Sequence, residues 1–291
     1  VMDVAATVGT SAILLTNGTV WTVGSNLHGE LGIGRPIVYY NDRPQFGADV
    51  EAEENYSTRL VRVETSAAWD ENVSGGEGQD AVMRKVAGEE IFNVNRIIGH
   101  GYNFALITVD KHAYMWGDNS YMDESGNLQI SGQIGAATWY EDGADFATAY
   151  EAATRPVQVR TMDGTPLERV IDVSIGGGVK QSVQVVATTM VVTYQELTPG
   201  IRTPVDWSFT NYGWGANDSY KAGMTNDGQH YDSATKIQVI DQMGLDPEDT
   251  EKFQAISAGG RHSGMFDTNG VVYMWGDNQY GQIGNFEILP E

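Results

Sequence analysis

Apolar residues come in short bursts along this chain, each ended by small or turn-forming residues. Four bursts open repeated units, at residues 4–9, 96–101, 170–178 and 253–260. A second strand-like run follows each, at 12–16, 104–109, 183–188 and 264–268. Asn17-Gly18 and Asn269-Gly270 come next in units one and four, and Asp110-Lys111 takes that place in unit two. Asn-Gly between apolar runs predicts a hairpin, because a type I′ turn needs positive φ at both central residues. The returning strands are 19–24, 113–117 and 271–276. A further strand is expected at 59–63, 155–159 and 236–239, with Pro156 marking an outer, edge position. No segment has convincing helical length and period, although 246–252 could form a turn or two.

The returning strand runs into a glycine motif that repeats. Tyr273-Met274-Trp275-Gly276-Asp277-Asn278 of unit four recurs as Tyr114-Met115-Trp116-Gly117-Asp118-Asn119 in unit two. Unit one reads Thr22-Val23-Gly24-Ser25-Asn26, with valine in the tryptophan position, and unit three reads Gly213-Trp214-Gly215-Ala216-Asn217. Gly281-Gln282-Ile283-Gly284 closes the motif in unit four, as Gly29-Glu30-Leu31-Gly32 and Gly132-Gln133-Ile134-Gly135 do in units one and two. Such repetition sets the architecture before any single residue does. Three or four short antiparallel strands per unit, repeated in tandem, describe the blades of an all-β propeller. The units run about 1–92, 93–168, 169–252 and 253–291, with insertions at about 35–93, 122–131, 136–154 and 189–207. Long loops without a structural signal of their own usually carry function.

Composition narrows the functions more than the fold. The 291 residues include 35 glycines, as an architecture of tight turns requires, and no cysteine, which excludes disulfides and thiolate metal sites. Seventeen basic against 39 acidic residues give a net charge of −22, which repels phosphate backbones, so nucleic acid is not an expected partner. No run of eighteen apolar residues is present, so no membrane-spanning helix is expected in this segment.

The units resemble the regulator-of-chromosome-condensation type of repeat. Gly259-Gly260-Arg261-His262, Asn269-Gly270 and 275–284 of unit four carry the resemblance nearly throughout, and unit two has Asn103 in place of His262. Unit one has Thr10 there, and unit three has Tyr220 where a motif glycine is expected. The resemblance implies a β-propeller, usually seven-bladed, that serves as an interaction scaffold. Four blades are visible, so the chain is read as a segment of a longer propeller, or as one whose further blades have degenerated. Some relatives promote nucleotide exchange on a small GTPase. Acidic, cysteine-free, insertion-rich versions are similar to those of large bacterial secreted or surface proteins.

The repeated residues are read as structural. Trp116, Trp214 and Trp275 would stack blade against blade. Asn26, Asn119, Asn217 and Asn278 would hold the following turn, and His262 the turn at the start of its hairpin. His28, His100, His112, His230 and His262 have no metal-ligand spacing, and the motifs of serine hydrolases and phosphate loops are missing. Residues 123–127 are acidic with a glycine but lack the EF-hand spacing, so weak divalent-cation binding is the most they suggest. No cofactor and no catalytic residue are assigned. The partner-binding candidates are insertion aromatics: Tyr39, Tyr40 and Trp69, then Trp139, Tyr140, Phe146 and Tyr150, and Trp207 in the lengthened hairpin of unit three.

The resulting expectation is a non-enzymatic scaffold that presents loops to a protein or glycan, within a larger bacterial extracellular or cell-surface protein. Two alternatives stand beside it: a module accompanying a hydrolase, and a cytoplasmic regulator of a small GTPase.

Overall fold

The computed structural model describes residues 1–33, 39–40, 43–44, 56–63, 93–123, 125–126, 128–136, 153–178, 183–226, 228–239 and 253–284. Blade one pairs β1 (Asp3–Ala6), β2 (Thr10–Leu14), β3 (Val20–Ser25) and β6 (Tyr56–Arg62) in that order. A small ladder of β4 (Tyr39–Tyr40) and β5 (Arg43–Pro44) lies between its last two strands in sequence. Blade two pairs β7 (Val94–His100), β8 (Asn103–Thr108), β9 (Ala113–Gly117) and β12 (Val157–Gln158). The insertion after β9 folds as a hairpin of β10 (Ser120–Met122) and β11 (Leu128–Ile130). Blade three pairs β13 (Val170–Gly176), β14 (Gln184–Thr198), β15 (Ile201–Ala216) and β16 (His230–Lys236). Blade four pairs β17 (Phe253–Ala258), β18 (His262–Asp267) and β19 (Val272–Gly276). Every pairing within these sheets is antiparallel.

The outer strand of blade three corrects the expectation of 236–239. It ends at Lys236. The Ile237 N–H still donates to Asn211 O of β15 (3.0 Å), and the chain then leaves the ladder, the Val239 N–H donating to Gly223 O (3.0 Å). Both side chains are thereby buried between blades three and four. Blade two's outer strand is also shorter than the expected 155–159, with Val157 and Gln158 in the ladder and the Val159 N–H donating to Ala113 O at its end (3.0 Å). The Arg155 guanidinium reaches Ile33 O in blade one instead (3.1 Å).

The core lies between the blades. Phe104 and Leu106 of β8 pack with Ala12, Leu14 and Trp116 towards blade one. Ala105 and Ile107 of the same strand pack with Val185, Ile175 and Trp214 towards blade three. This is the period-2 alternation of a strand buried on both faces. A third cluster of Val186, Ile256, Met265 and Trp275 joins blades three and four.

One device recurs at each joint. Trp116 Nε1 donates to Glu30 O (2.9 Å), Trp214 Nε1 to Gln133 O (3.0 Å) and Trp275 Nε1 to Lys221 O (3.2 Å). Each indole thus docks on the turn of the preceding blade, at the residue that follows its first position (Gly29, Gly132 or Tyr220). Gly32 and Gly135 are required there: a Cβ would lie 2.9 and 2.8 Å from the indole nitrogens of Trp116 and Trp214. The turns are held alike, with Leu31, Ile134, Ala222 and Ile283 N–H donating to the Oδ1 atoms of Asn26, Asn119, Asn217 and Asn278. Blade three departs from the pattern in one respect. Its turn includes a 3-10 stretch, Asp218–Tyr220, and Tyr220 takes φ +61° where Gly29, Gly132 and Gly281 take +80°, +75° and +74°.

Candidate functional site

The repeated tryptophans are joint residues, with Trp116 and Trp214 fully buried and Trp275 5% exposed. Their indole N–H groups are spent within the propeller. Asn26, Asn119, Asn217 and Asn278 hold the glycine turns as described. At the position of Thr10, Asn103 and Gln184, where blade four has His262, the side chains of Thr10 and Asn103 knit their own hairpin base and that of Gln184 reaches across to blade four. Thr10 Oγ1 donates to Ser25 O (2.6 Å), Asn103 Nδ2 to Asp118 O (2.6 Å) and Gln184 Nε2 to Gly259 O (2.7 Å). His262 contributes its carbonyl, which accepts from Gly259 N–H at 2.8 Å, and its ring lies against Gly259.

The insertion aromatics are distributed differently. Trp69, Trp139, Tyr140, Phe146 and Tyr150 lie outside the described residues, and Tyr39 and Tyr40 form β4, paired with Pro44 and Arg43. Trp207 sits in the arm that blade three alone possesses. In the other described blades the third strand begins near its turn. β14 and β15 instead continue about ten residues past the level of Asn211, to a turn at Pro199-Gly200.

Register places the arm's side chains. Met190 faces Phe209, Val192 faces Trp207, Tyr194 faces Pro204 and Glu196 faces Arg202, all on one side of the ribbon. Trp207 is 50% exposed, and Val191, Tyr194, Leu197, Ile201 and Val205 are exposed as well. The Arg202 guanidinium lies 5.9 Å above the Tyr194 ring. At the base of the arm a groove of about 750 Å³ opens between β15, β16 and a turn from blade two. Thr161, Asp163, Phe209, Tyr212, Lys236 and Gln238 line it. The turn is fixed because the Asp163 carboxylate accepts from Thr165 N–H (3.2 Å) and Thr165 Oγ1 (2.9 Å), as well as from Thr161 Oγ1. Burial raises the Tyr212 hydroxyl above its ordinary pKa, and Asp163 adds to the effect.

A second polar cluster lies buried between blades one and two. Glu30 Oε2 accepts from His28 N–H (2.7 Å), while Oε1 is buried without a hydrogen bond. Asp118 of blade two is also buried, and His28 Nδ1 stands 3.9 Å from its Oδ2, with the His28 ring stacked on Tyr102. Burial, with a smaller contribution from Asp118, pushes the Glu30 carboxyl up to about 7, and burial raises Asp118 also. The sequence shows Glu30 only as the variable residue of a glycine turn, filled by Gln133, Lys221 and Gln282 elsewhere. That substitution is the one signal that could have marked it.

Among the described residues no three His, Asp or Glu side chains are grouped to hold a metal ion. In the 123–127 loop the Asp123 carboxylate accepts from Ser125 N–H (3.0 Å) and Gln129 Nε2 (3.1 Å), inside its own hairpin. No helix of the described residues is long and apolar enough to cross a membrane.

Comparison with known proteins agrees with this architecture. The family described as Regulator of chromosome condensation (RCC1) repeat matches residues 253–282, which is the core of blade four. The human protein named Probable E3 ubiquitin-protein ligase HERC6 is 24% identical over 97% of this chain, and the match spans 24% of that protein's length. Human WBSCR16, in its crystal structure, superposes with a TM-score of 0.54 at 15% identity over 97% of this chain and 49% of the other. Yeast RCC1 (Prp20), from its crystal structure with Kap60, gives 0.42 at 16% identity over 98% of this chain and 58% of the other. The chain therefore spans about a quarter of the curated relative it matches and about half of these solved chains. The class is an antiparallel β-propeller. The unit of blade four matches the repeat of the regulator of chromosome condensation type, and its Trp-Gly-x-Asn segment recurs in blades two and three.

Proposed function

We propose that the chain is a non-enzymatic scaffold whose blade-three arm contacts a partner protein. The observation that supports it is the apolar stripe of the arm, Val192–Trp207 and Tyr194–Pro204, in which Trp207, Tyr194 and Pro204 are exposed and Val192 is half-buried. The inner half of the same strands serves blade packing, and among the described residues the outer half serves none of it. An aromatic anchor flanked by aliphatic and charged side chains on a rigid ribbon is the composition of a protein contact. Loops and extensions held by a stable fold are where binding concentrates. The insertions at 35–93 and 136–154, with their aromatics, are further presenting elements for protein or glycan. The acidic, cysteine-free composition suits an extracellular or surface setting, with the cytoplasm as the alternative.

The test replaces residues 190–209 by Thr-Asn-Gly, the hairpin turn of blades one (16–18) and four (268–270). Cross-linking with mass spectrometry on the source cell, and a glycan array, are run on both proteins. The reading expects protein partners captured by the parent and lost from the arm-less variant. Unchanged partners in the variant, or binding only on the glycan array, would contradict it.

A further inference from the structure

Resting on the reading of the arm as a protein contact, we propose that the outer edge of β15 binds an extended partner segment by strand addition. The segment it fits alternates apolar residues with lysine or arginine.

The edge is open by construction. β16 pairs with β15 only from Tyr212 inwards, and the last backbone bond on that side is Ile237 N–H to Asn211 O (3.0 Å). From Ile201 to Thr210, no described backbone group pairs with the outer side of β15. The direction of its peptide groups follows from the other strand. Met190 N–H donates outwards to Arg169 O (3.0 Å), so Met190 and Phe209 form a non-hydrogen-bonded pair. Phe209 therefore points its N–H and C=O away from β14, and by the period of two so does Trp207. The Trp207 N–H confirms the geometry, since it donates to the Asp206 carboxylate (2.8 Å) rather than to the ladder. An unpaired edge of this kind is a template for another strand.

The two faces of that edge differ in chemistry. Phe209 and Trp207 share the side of Met190 and Val192, which faces blade four, as the Asn211 Nδ2 contact with Met265 Sδ shows (3.9 Å). Asp206, Thr210 and Tyr212 lie on the other side, where Asp163 approaches Tyr212 across the groove. An added strand would set alternate residues against an aromatic side and against a side with two carboxylates and one ammonium, that of Lys236. The net charge of −22 attracts the same basic segment from a distance. Alternation of apolar and basic residues satisfies both sides at once.

The probe is a ten-residue peptide alternating valine and lysine. Its controls are the valine–glutamate counterpart and a valine–lysine peptide N-methylated at every second residue. Fluorescence anisotropy with the whole chain should show the first binding at least tenfold more tightly than either control. Asp163→Asn with Asp206→Asn should weaken it several-fold, and Trp207→Ala likewise. Hydrogen exchange should slow at the Trp207 and Phe209 amides on binding. Failure of the first peptide to bind, equal binding of either control, or protection at another strand edge would overturn the proposal. Self-association through the arms, seen by sedimentation and abolished by Trp207→Ala, would overturn it in favour of a second copy as occupant. If the arm-less variant loses its partners while the peptide does not bind, strand addition fails and the scaffold reading stands.

Discussion

The strands β14 and β15 are two different structures joined end to end. From Gln184 to Thr189, β14 is buried on both faces, with Val185 and Ala187 turned to blade two and Val186 to blade four. From Val191 outwards, the same ladder continues with nearly every side chain exposed. Pairing between β14 and β15 runs through both halves, but only the inner half is also paired outwards, to β13 and β16. Burial separates the halves further. The inner half has a neighbouring sheet on each side, and among the described residues the outer half has none. A two-stranded ribbon without such cover is marginal by itself, so the arm is held in place by the blade it grows from.

The comparison yields predictions of decreasing size. Trp214→Ala, in the inner half, removes an indole buried at the joint of blades two and three and leaves Gln133 O without its donor. It should lower stability by about 3–5 kcal/mol, measured by denaturant unfolding. A midpoint within error of the parent would show that the joint is not what holds the sheets together.

Glu30→Gln tests the neighbouring joint through pH. The folded carboxyl sits at about 7 against an ordinary 4.5, so between those values the folded state binds more protons than the unfolded one. The stability this residue contributes is present at low pH and is lost as pH rises from about 4.5 through 7. Glutamine keeps the bond from His28 N–H and supplies a donor at the position of Oε1, as Gln133 Nε2 does towards Asn103 Oδ1 (3.0 Å) in blade two. The variant should match the parent near pH 4.5 and exceed it by about 3 kcal/mol above pH 7. A difference independent of pH would contradict the buried-acid account.

Tyr220→Gly should stabilise the blade-three turn by about 1 kcal/mol, because φ +61° is strained for a side-chain-bearing residue and natural for glycine. A loss of stability there would mean that the partly exposed tyrosine ring packs usefully. Trp207→Ala, out on the arm, should change stability by less than about 0.5 kcal/mol, as surface substitutions do.

Much of the fold was legible because the repeat states it several times. Asn17-Gly18, Asn269-Gly270 and the Trp-Gly-x-Asn segments each name a hairpin and the turn after it. The acceptor of each indole was not legible, since Glu30, Gln133 and Lys221 share no side-chain chemistry and act through their carbonyls. The outer strand at 236–239 was misplaced because Ile237 and Val239 read as strand residues, although they are buried as the chain leaves the ladder. The arm showed in the sequence as a long hairpin insertion containing Trp207. The groove beside it did not show, because Thr161 and Asp163 come from a different blade, and sequence spacing carries no information about that meeting.

The division of β14 and β15 into a packed half and a presenting half is tested most directly by urea unfolding of the variant in which Thr-Asn-Gly replaces residues 190–209. The account predicts a single transition whose midpoint falls by clearly less than that of Trp214→Ala, because Phe209 at the root of the arm is the one buried side chain removed. A broadened transition, or a midpoint shift as large as that of Trp214→Ala, would show that the arm is part of the propeller's own packing and contradict it.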